Sequence, residues 1–217
     1  MSDTDSFIEE VTEEVRRDKL FGYIRRYGWI AVLVVLALVG GASWNEYNKA
    51  SIRSAAQARG DAILAALEAD DSAARAAALA KLDASGATAP VVAMLHSAEA
   101  MASDDPDGAA AALKAIVGDA SQSALYRDMA ALKLVILTSN DTAPAERIAA
   151  LQPLTTPGGP FRVLAEEQIA LAEIESEKID AALTRLRALM EDTEASQGLR
   201  RRVSQLIVAL GGDADPA

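Results

Sequence analysis

Few side chains in this sequence are equipped for chemistry. His96 is the one histidine and there is no cysteine, so thiolate nucleophiles, disulfides and Cys- or His-cluster metal sites have no ligands to draw on. A lone imidazole between Leu95 and Ser97, inside a helical pattern, reads as a surface or core-edge residue. The sequence holds no Walker A loop, no GxGxxG opening a helix, no HExxH and no GxSxG. The expected activity is therefore binding rather than catalysis, with no cofactor and no small-molecule substrate.

The remaining candidates are charged clusters. Asp104, Asp105 and Asp107 lack the spaced ligands and terminal glutamate of a calcium loop, and Asp105-Pro106 is a helix start: a capping carboxylate followed by a first-turn proline. Glu173, Glu175 and Glu177 read as a solvated helix end. Arg200, Arg201 and Arg202, with Arg185 and Arg187 upstream, either pair with neighbouring carboxylates or form a patch for an acidic partner or headgroup. With 32 acidic against 21 basic residues the net charge is −11. Nucleic-acid affinity rests on lysine and arginine displacing counterions, so that class of partner is excluded.

The most informative segment carries no chemistry at all. From Tyr27 to Asn45 no residue is charged, and 19 residues at about 1.5 Å each reach roughly 28 Å, close to the ~30 Å thickness of bilayer hydrocarbon. Tyr27, Trp29, Trp44 and Tyr47 fall at the two expected interfaces, where amphipathic rings settle, and Arg25 and Arg26 abut the first. A buried core helix would keep a polar face over five turns. A cleavable signal peptide, suggested by Gly40-Gly41-Ala42, would need a short basic leader; here the preceding residues carry seven acidic groups. Five cations before the span (Arg16, Arg17, Lys19, Arg25, Arg26) against three after it (Lys49, Arg53, Arg59) predict a cytoplasmic N-terminus and a C-terminal domain outside, periplasmic in a Gram-negative cell. Ala37 and Gly41, with Gly40 beside them, form a small-xxx-small pair on which another membrane helix can approach closely.

The layout that follows is a cytoplasmic tail at 1–26, a transmembrane helix at 27–45 and a helical domain at 46–217. Within the tail, residues 1–6 read as disordered, and Ile8, Val11, Val15, Phe21 and Ile24 form an amphipathic stripe suited to headgroups. Downstream, nothing breaks the helix until about Asp70, with Gly60 a weak point. Alanine dominates the apolar residues and aromatics are scarce, which favours an all-α fold. The periodicity predicts helices at 72–83, 90–103, 106–117, 121–138, 144–151, 160–175, 178–191 and 196–210, with Gly118 and Gly211 as stops and Thr155 to Pro160 as a loop. Small residues at Ala66, Ala98, Ala131 and Ala170, followed by Gln205, recur every 32 to 39 positions, near the 34-residue period of tetratricopeptide hairpins. Ala98, Ala102, Ala131 and Ala170 are expected to be the close helix contacts. The expected fold is a single N-terminal transmembrane helix followed by a tetratricopeptide-like α-solenoid of antiparallel hairpins. Its concave surface is expected to hold a partner along the 90–138 helices.

Three segments carry a resemblance: Ser6-Phe-Ile-Glu-Glu-Val-Thr-Glu-Glu-Val-Arg-Arg-Asp-Lys-Leu20, Tyr27-Gly-Trp-Ile30, and Gly40-Gly-Ala-Ser-Trp-Asn45 running into a helix. In these and in its layout the chain resembles the bacterial YfgM-like inner-membrane proteins, ancillary subunits of the SecYEG translocon with a tetratricopeptide-like periplasmic domain. The resemblance implies a place in the inner membrane and contact with translocon subunits, periplasmic chaperones and newly exported chains. It carries over no catalytic residues. A structural or assembly subunit of another membrane complex, respiratory or envelope, would use the same anchor and repeats.

Overall fold

A computed structural model of the chain describes the backbone of residues 3–213 and the side chains of residues 25–30 and 32–213. All regular structure among these residues is helical. The chain divides into two compact units, Met1–Ala58 and Arg59–Ala217.

The first helix, α1, runs Asp3–Leu67. From Asp3 onward helix replaces the disordered start expected for residues 1–6, the first two of which lie outside the described residues, because extending an existing helix gains a hydrogen bond per residue fixed and costs far less than starting one. The amphipathic stripe from Ile8 to Ile24 lies outside the described side chains. Within α1 the uncharged stretch makes this the one described helix long and apolar enough to cross a membrane: its window has mean hydropathy 1.8 and none of it is buried. The helix passes Gly60 without a break; one glycine costs about 1 kcal/mol relative to alanine, too little to interrupt a helix flanked by good formers. It stops at Leu67 rather than Asp70 because Asp71 caps the next helix, its carboxylate accepting from the Ala74 N–H at 2.7 Å.

In the second unit, α2 spans Ser72–Ala80, α3 Ala89–Ala102, α4 Pro106–Gly118, α5 Ala124–Leu137, α6 Pro144–Leu151, α7 Arg162–Glu175, α8 Ile179–Glu191 and α9 Gln197–Ala209. Short 3-10 turns at Gly86–Thr88 and Gln152–Thr155 were not legible from periodicity. The starts have local causes. Asp105 accepts from the Gly108 N–H at 2.9 Å with Pro106 in the first turn, Pro144 opens α6, and the Ser196 hydroxyl accepts from the Leu199 N–H. Three helices end alike, with a left-handed residue at Asp104, Glu177 or Gly211 and an N–H returning to a carbonyl one turn back: Asp105 to Ala100, Lys178 to Glu173, Gly212 to Ile207, each at 2.9 Å. Gly118 is the last residue of α4 rather than a stop beyond it, and the extended Asp119 ends that helix.

These helices form two equivalent sets. α3, α4 and α5 begin at 89, 106 and 124, while α7, α8 and α9 begin at 162, 179 and 197, each 73 residues later. The core repeats with the helices: Ala109 matches Ala182, Leu113 matches Leu186, Ile116 matches Leu189 and Ala130 matches Val203, all buried. The α4–α5 turn repeats as well, with Asp119, Ser123 and Arg127 answered by Asp192, Ser196 and Arg200. The structural period is thus twice the hairpin period expected from small residues, because two successive hairpins are not equivalent to each other.

The close contacts also fall on other alanines than expected. Ala170 is buried as anticipated, but Ala98 and Ala102 are exposed and Ala131 only half-buried; Ala100, Ala109 and Ala130 pack at 0% exposure instead. In alanine-rich helices neighbouring positions share one residue type, so composition does not reveal which of two adjacent alanines faces inward. Gln205 is exposed. Leu132 and Val135 of α5 join Leu151, Leu154, Ala165 and Ile169 in the cluster between the two sets.

A candidate protein-binding groove on the second helix set

Helix α7 carries two different faces. On one, Leu164, Gln168 and Leu171 face Gln205, Leu206 and Ala209 of α9 and Ile136 of α5 across a groove of about 650 Å³. Ile136 and Leu164 are 47% and 38% exposed. The Glu167 carboxylate, itself buried, accepts from Arg202 Nε at 2.7 Å and Nη2 at 2.8 Å. That two-pronged bond consumes both charges at the groove wall and raises the Arg202 pKa, chiefly through the hydrogen bond to Glu167. What remains is an apolar floor with two neutral amides.

The opposite face is ionic. Arg185 of α8 donates to Glu173 at 2.8 and 3.1 Å and also binds Glu166. Arg162 reaches Asp192 at 2.7 Å and Glu194 at 2.6 Å. Arg162, Glu166, Glu173, Arg185 and Asp192, with Asp180, Thr184 and Ala188, line a cleft of about 580 Å³ between α7 and α8. The Arg162 hydrogen bond, then the bond from the Glu194 N–H, hold Asp192 below the usual carboxylate range. Glu173 and Asp192 raise the pKa of Arg185 and Arg162 respectively, again mainly through hydrogen bonds. From α6, the nearly buried Arg147 grips Glu175, one bond measuring 3.1 Å.

One expectation is corrected here, and one open alternative is decided in favour of internal pairing. Glu173 does not belong to a solvated helix end: it is buried and bound by Arg185, whereas Glu175 stays exposed while pairing with Arg147 and Glu177 is exposed at its turn. The basic cluster is largely spent internally as well, since Arg185 and Arg202 are ion-paired and Arg200 donates to the Asp192 carbonyl at 2.8 Å; Arg187 and Arg201 remain exposed. The helices between 90 and 138 contribute only Ile136 to the groove. His96 is half-buried on α3, in the place that Ile169 holds on α7, which agrees with a core-edge role.

The sequence-derived membrane residues sit on α1, in the other compact unit. Arg25, Arg26, Tyr27, Trp29, Trp44 and Tyr47 are all exposed, the two indoles at 62% and 75%. Ala37, Gly40 and Gly41 are exposed too, and a Cβ added at either glycine would meet nothing within 4 Å. That surface leaves room for lipid or another helix. Leu164, Leu171 and Leu206 escaped sequence reading because their spacing is that of any core stripe; only the placement of α5 and α9 leaves them open.

Residues 22–168 match the family model described as a tetratricopeptide repeat-like domain. The chain belongs to that family. No curated protein and no solved structure matches it. The match runs from α1 into α7, and the 73-residue equivalence carries the same helical pattern on through α8 and α9. Tetratricopeptide-like repeats are protein-binding scaffolds: stacked hairpins bury one another's apolar sides and leave an extended surface for a partner.

Proposed function

We propose that the chain is a membrane-anchored protein-binding scaffold that uses the α5–α7–α9 groove and has no catalytic activity of its own. The observation that carries this is the groove itself: apolar side chains left open on a repeat scaffold, with the adjoining charges already neutralised by Arg202 and Glu167. The uncharged Tyr27–Asn45 stretch supports membrane insertion, and the cation bias around it supports a cytoplasmic N-terminus with the helical domain on the other side of a bacterial inner membrane. On the resemblance of its N-terminal third, the chain is an accessory translocon subunit that meets newly exported chains and their chaperones. Anchoring strengthens even a weak groove, since a tethered domain meets its partner at an effective concentration near the millimolar range.

Photo-crosslinking residues at Leu164 and Leu206 in cells, with Ala181 on the ionic cleft as the control site, test the groove. Capture of translocon components or exported chains at the first two positions alone is the expected result. Reproducible capture of subunits of one other membrane complex would make this an assembly subunit. Equal capture at Ala181 would remove the groove from the account. Protease added to spheroplasts should digest the C-terminal domain; its protection would reverse the topology.

A further inference from the structure

The 73-residue equivalence splits the helical domain into residues 72–137 and residues 144–209, and the two halves meet without the cross-helix bonds that fasten the second of them. Within the second half, directional bonds tie helix to helix: Arg147 to Glu175, Arg185 to Glu166 and Glu173, Arg202 to Glu167. Within the first, Arg75 of α2 binds Glu99 of α3 at 2.8 Å. Between the halves, among the described residues, no hydrogen bond or ion pair joins 72–137 to 144–209. The boundary is held by apolar packing alone, with Leu132 and Val135 on one side and Leu151, Leu154, Ala165 and Ile169 on the other. The connection at 138–143 enters α6 without a side-chain cap. Apolar contact is non-directional, so such a boundary tolerates rotation and sliding that a hydrogen-bonded one resists.

The groove crosses this boundary. Ile136 belongs to the first half, whereas Leu164, Leu171, Leu206 and Ala209 belong to the second. We infer that the α5–α6 junction is a hinge and that its angle sets the width of the groove. Rotation there moves the Ile136 wall relative to the α7–α9 floor, while the ion pairs keep that floor in one piece. The significance of the motion rests on the groove being the binding surface, but the hinge itself is read without any ligand, so the two ideas fail separately.

The chain has no native cysteine, so paired spin labels go only where they are placed. Lys114→Cys with Arg187→Cys, exposed on α4 and α8, reports between the halves; Ala149→Cys with Arg201→Cys, exposed on α6 and α9, reports within the second half. Measured by pulsed dipolar spectroscopy on the full chain in lipid nanodiscs, the first pair should show a spread exceeding the second by more than about 2 Å, the scale that domain rearrangements pass. Trimming the junction with Leu132→Ala should broaden the first pair further and leave the second unchanged. Equal spreads in the parent chain would overturn the hinge. So would a Leu132→Ala chain in which neither pair changes or both broaden alike, since the junction would then not be the point of motion.

Discussion

The two halves of the helical domain share a backbone plan and differ in what fastens it. At four positions of α7 stand Glu166, Glu167, Glu173 and Glu175; the equivalent positions of α3 hold Ala93, Met94, Ala100 and Ala102. One fastening is common to both, an arginine of the short preceding helix gripping a carboxylate near the end of the next: Arg75 to Glu99, Arg147 to Glu175. The others exist only in the second half. The first half closes by small-residue packing, with Ala100 and Ala109 fully buried. The second inserts longer charged side chains between helices. One repeat plan therefore accommodates dry packing or ion-pair spacers. The spacers leave α7 with one face spent on α8 and the other open as the groove. Partly buried ion pairs add little net stability over apolar packing, but they penalise alternative arrangements that would leave a charge unpaired.

The sharpest way to break this comparison is to place the second half's chemistry in the first. Ala100→Glu puts a carboxylate where Glu173 stands, but Ala112 occupies the place of Arg185, so the charge is buried without a partner and should cost about 3–5 kcal/mol in urea unfolding. A near-neutral result would mean that the two positions are not equivalent. Next in size, Leu113→Ala and Leu186→Ala, fully buried at matched places on α4 and α8, should each lose about 2–5 kcal/mol, and by similar amounts. Losses differing by more than twofold would show that the cores diverge despite the shared plan.

Smaller effects sharpen it. Asp104 and Glu177 occupy the matched left-handed turns at φ 57° and 59°, so Asp104→Gly and Glu177→Gly should each stabilise by about 0.5–1 kcal/mol by relieving backbone strain, the glutamate more than the aspartate. Loss of stability at either would mean that the side chain is needed at the turn. The smallest effect separates two carboxylates with one job. Asp119 and Asp192 both titrate below the ordinary range, Asp119 because the neutral donors Ser121 and Gln122 bond it, Asp192 chiefly because Arg162 does. Their folded pKa values are depressed, so each contributes stability that is present above the unfolded value near about 3.9 and is lost as pH falls through the folded value. Carboxyl NMR titration should show raised salt moving Asp192 back toward the ordinary value while leaving Asp119 in place, because screening acts on the charged partner and not on neutral hydrogen bonds. Equal movement of both would assign the two shifts to one cause.

The sequence by itself determined the all-helical class, the membrane-compatible stretch and the soluble helices to within a few residues at each end. Those features answer to local causes. A capping carboxylate at Asp71 or Asp105, a first-turn proline at Pro106 or Pro144, and the uncharged run from Tyr27 to Asn45 act within a turn or along one continuous segment. Tertiary structure decided which alanine of each adjacent pair faces inward and which carboxylates are solvated, and it alone revealed the groove. Glu167 meets Arg202 across 35 positions and Glu175 meets Arg147 across 28. Partners so distant are chosen by the stacking of α6, α8 and α9 around α7, which no short-range pattern encodes. The same stacking leaves Leu164 exposed and Leu206 half-buried along the groove while burying Leu186 and Leu199, residues of one type that differ only in what surrounds them.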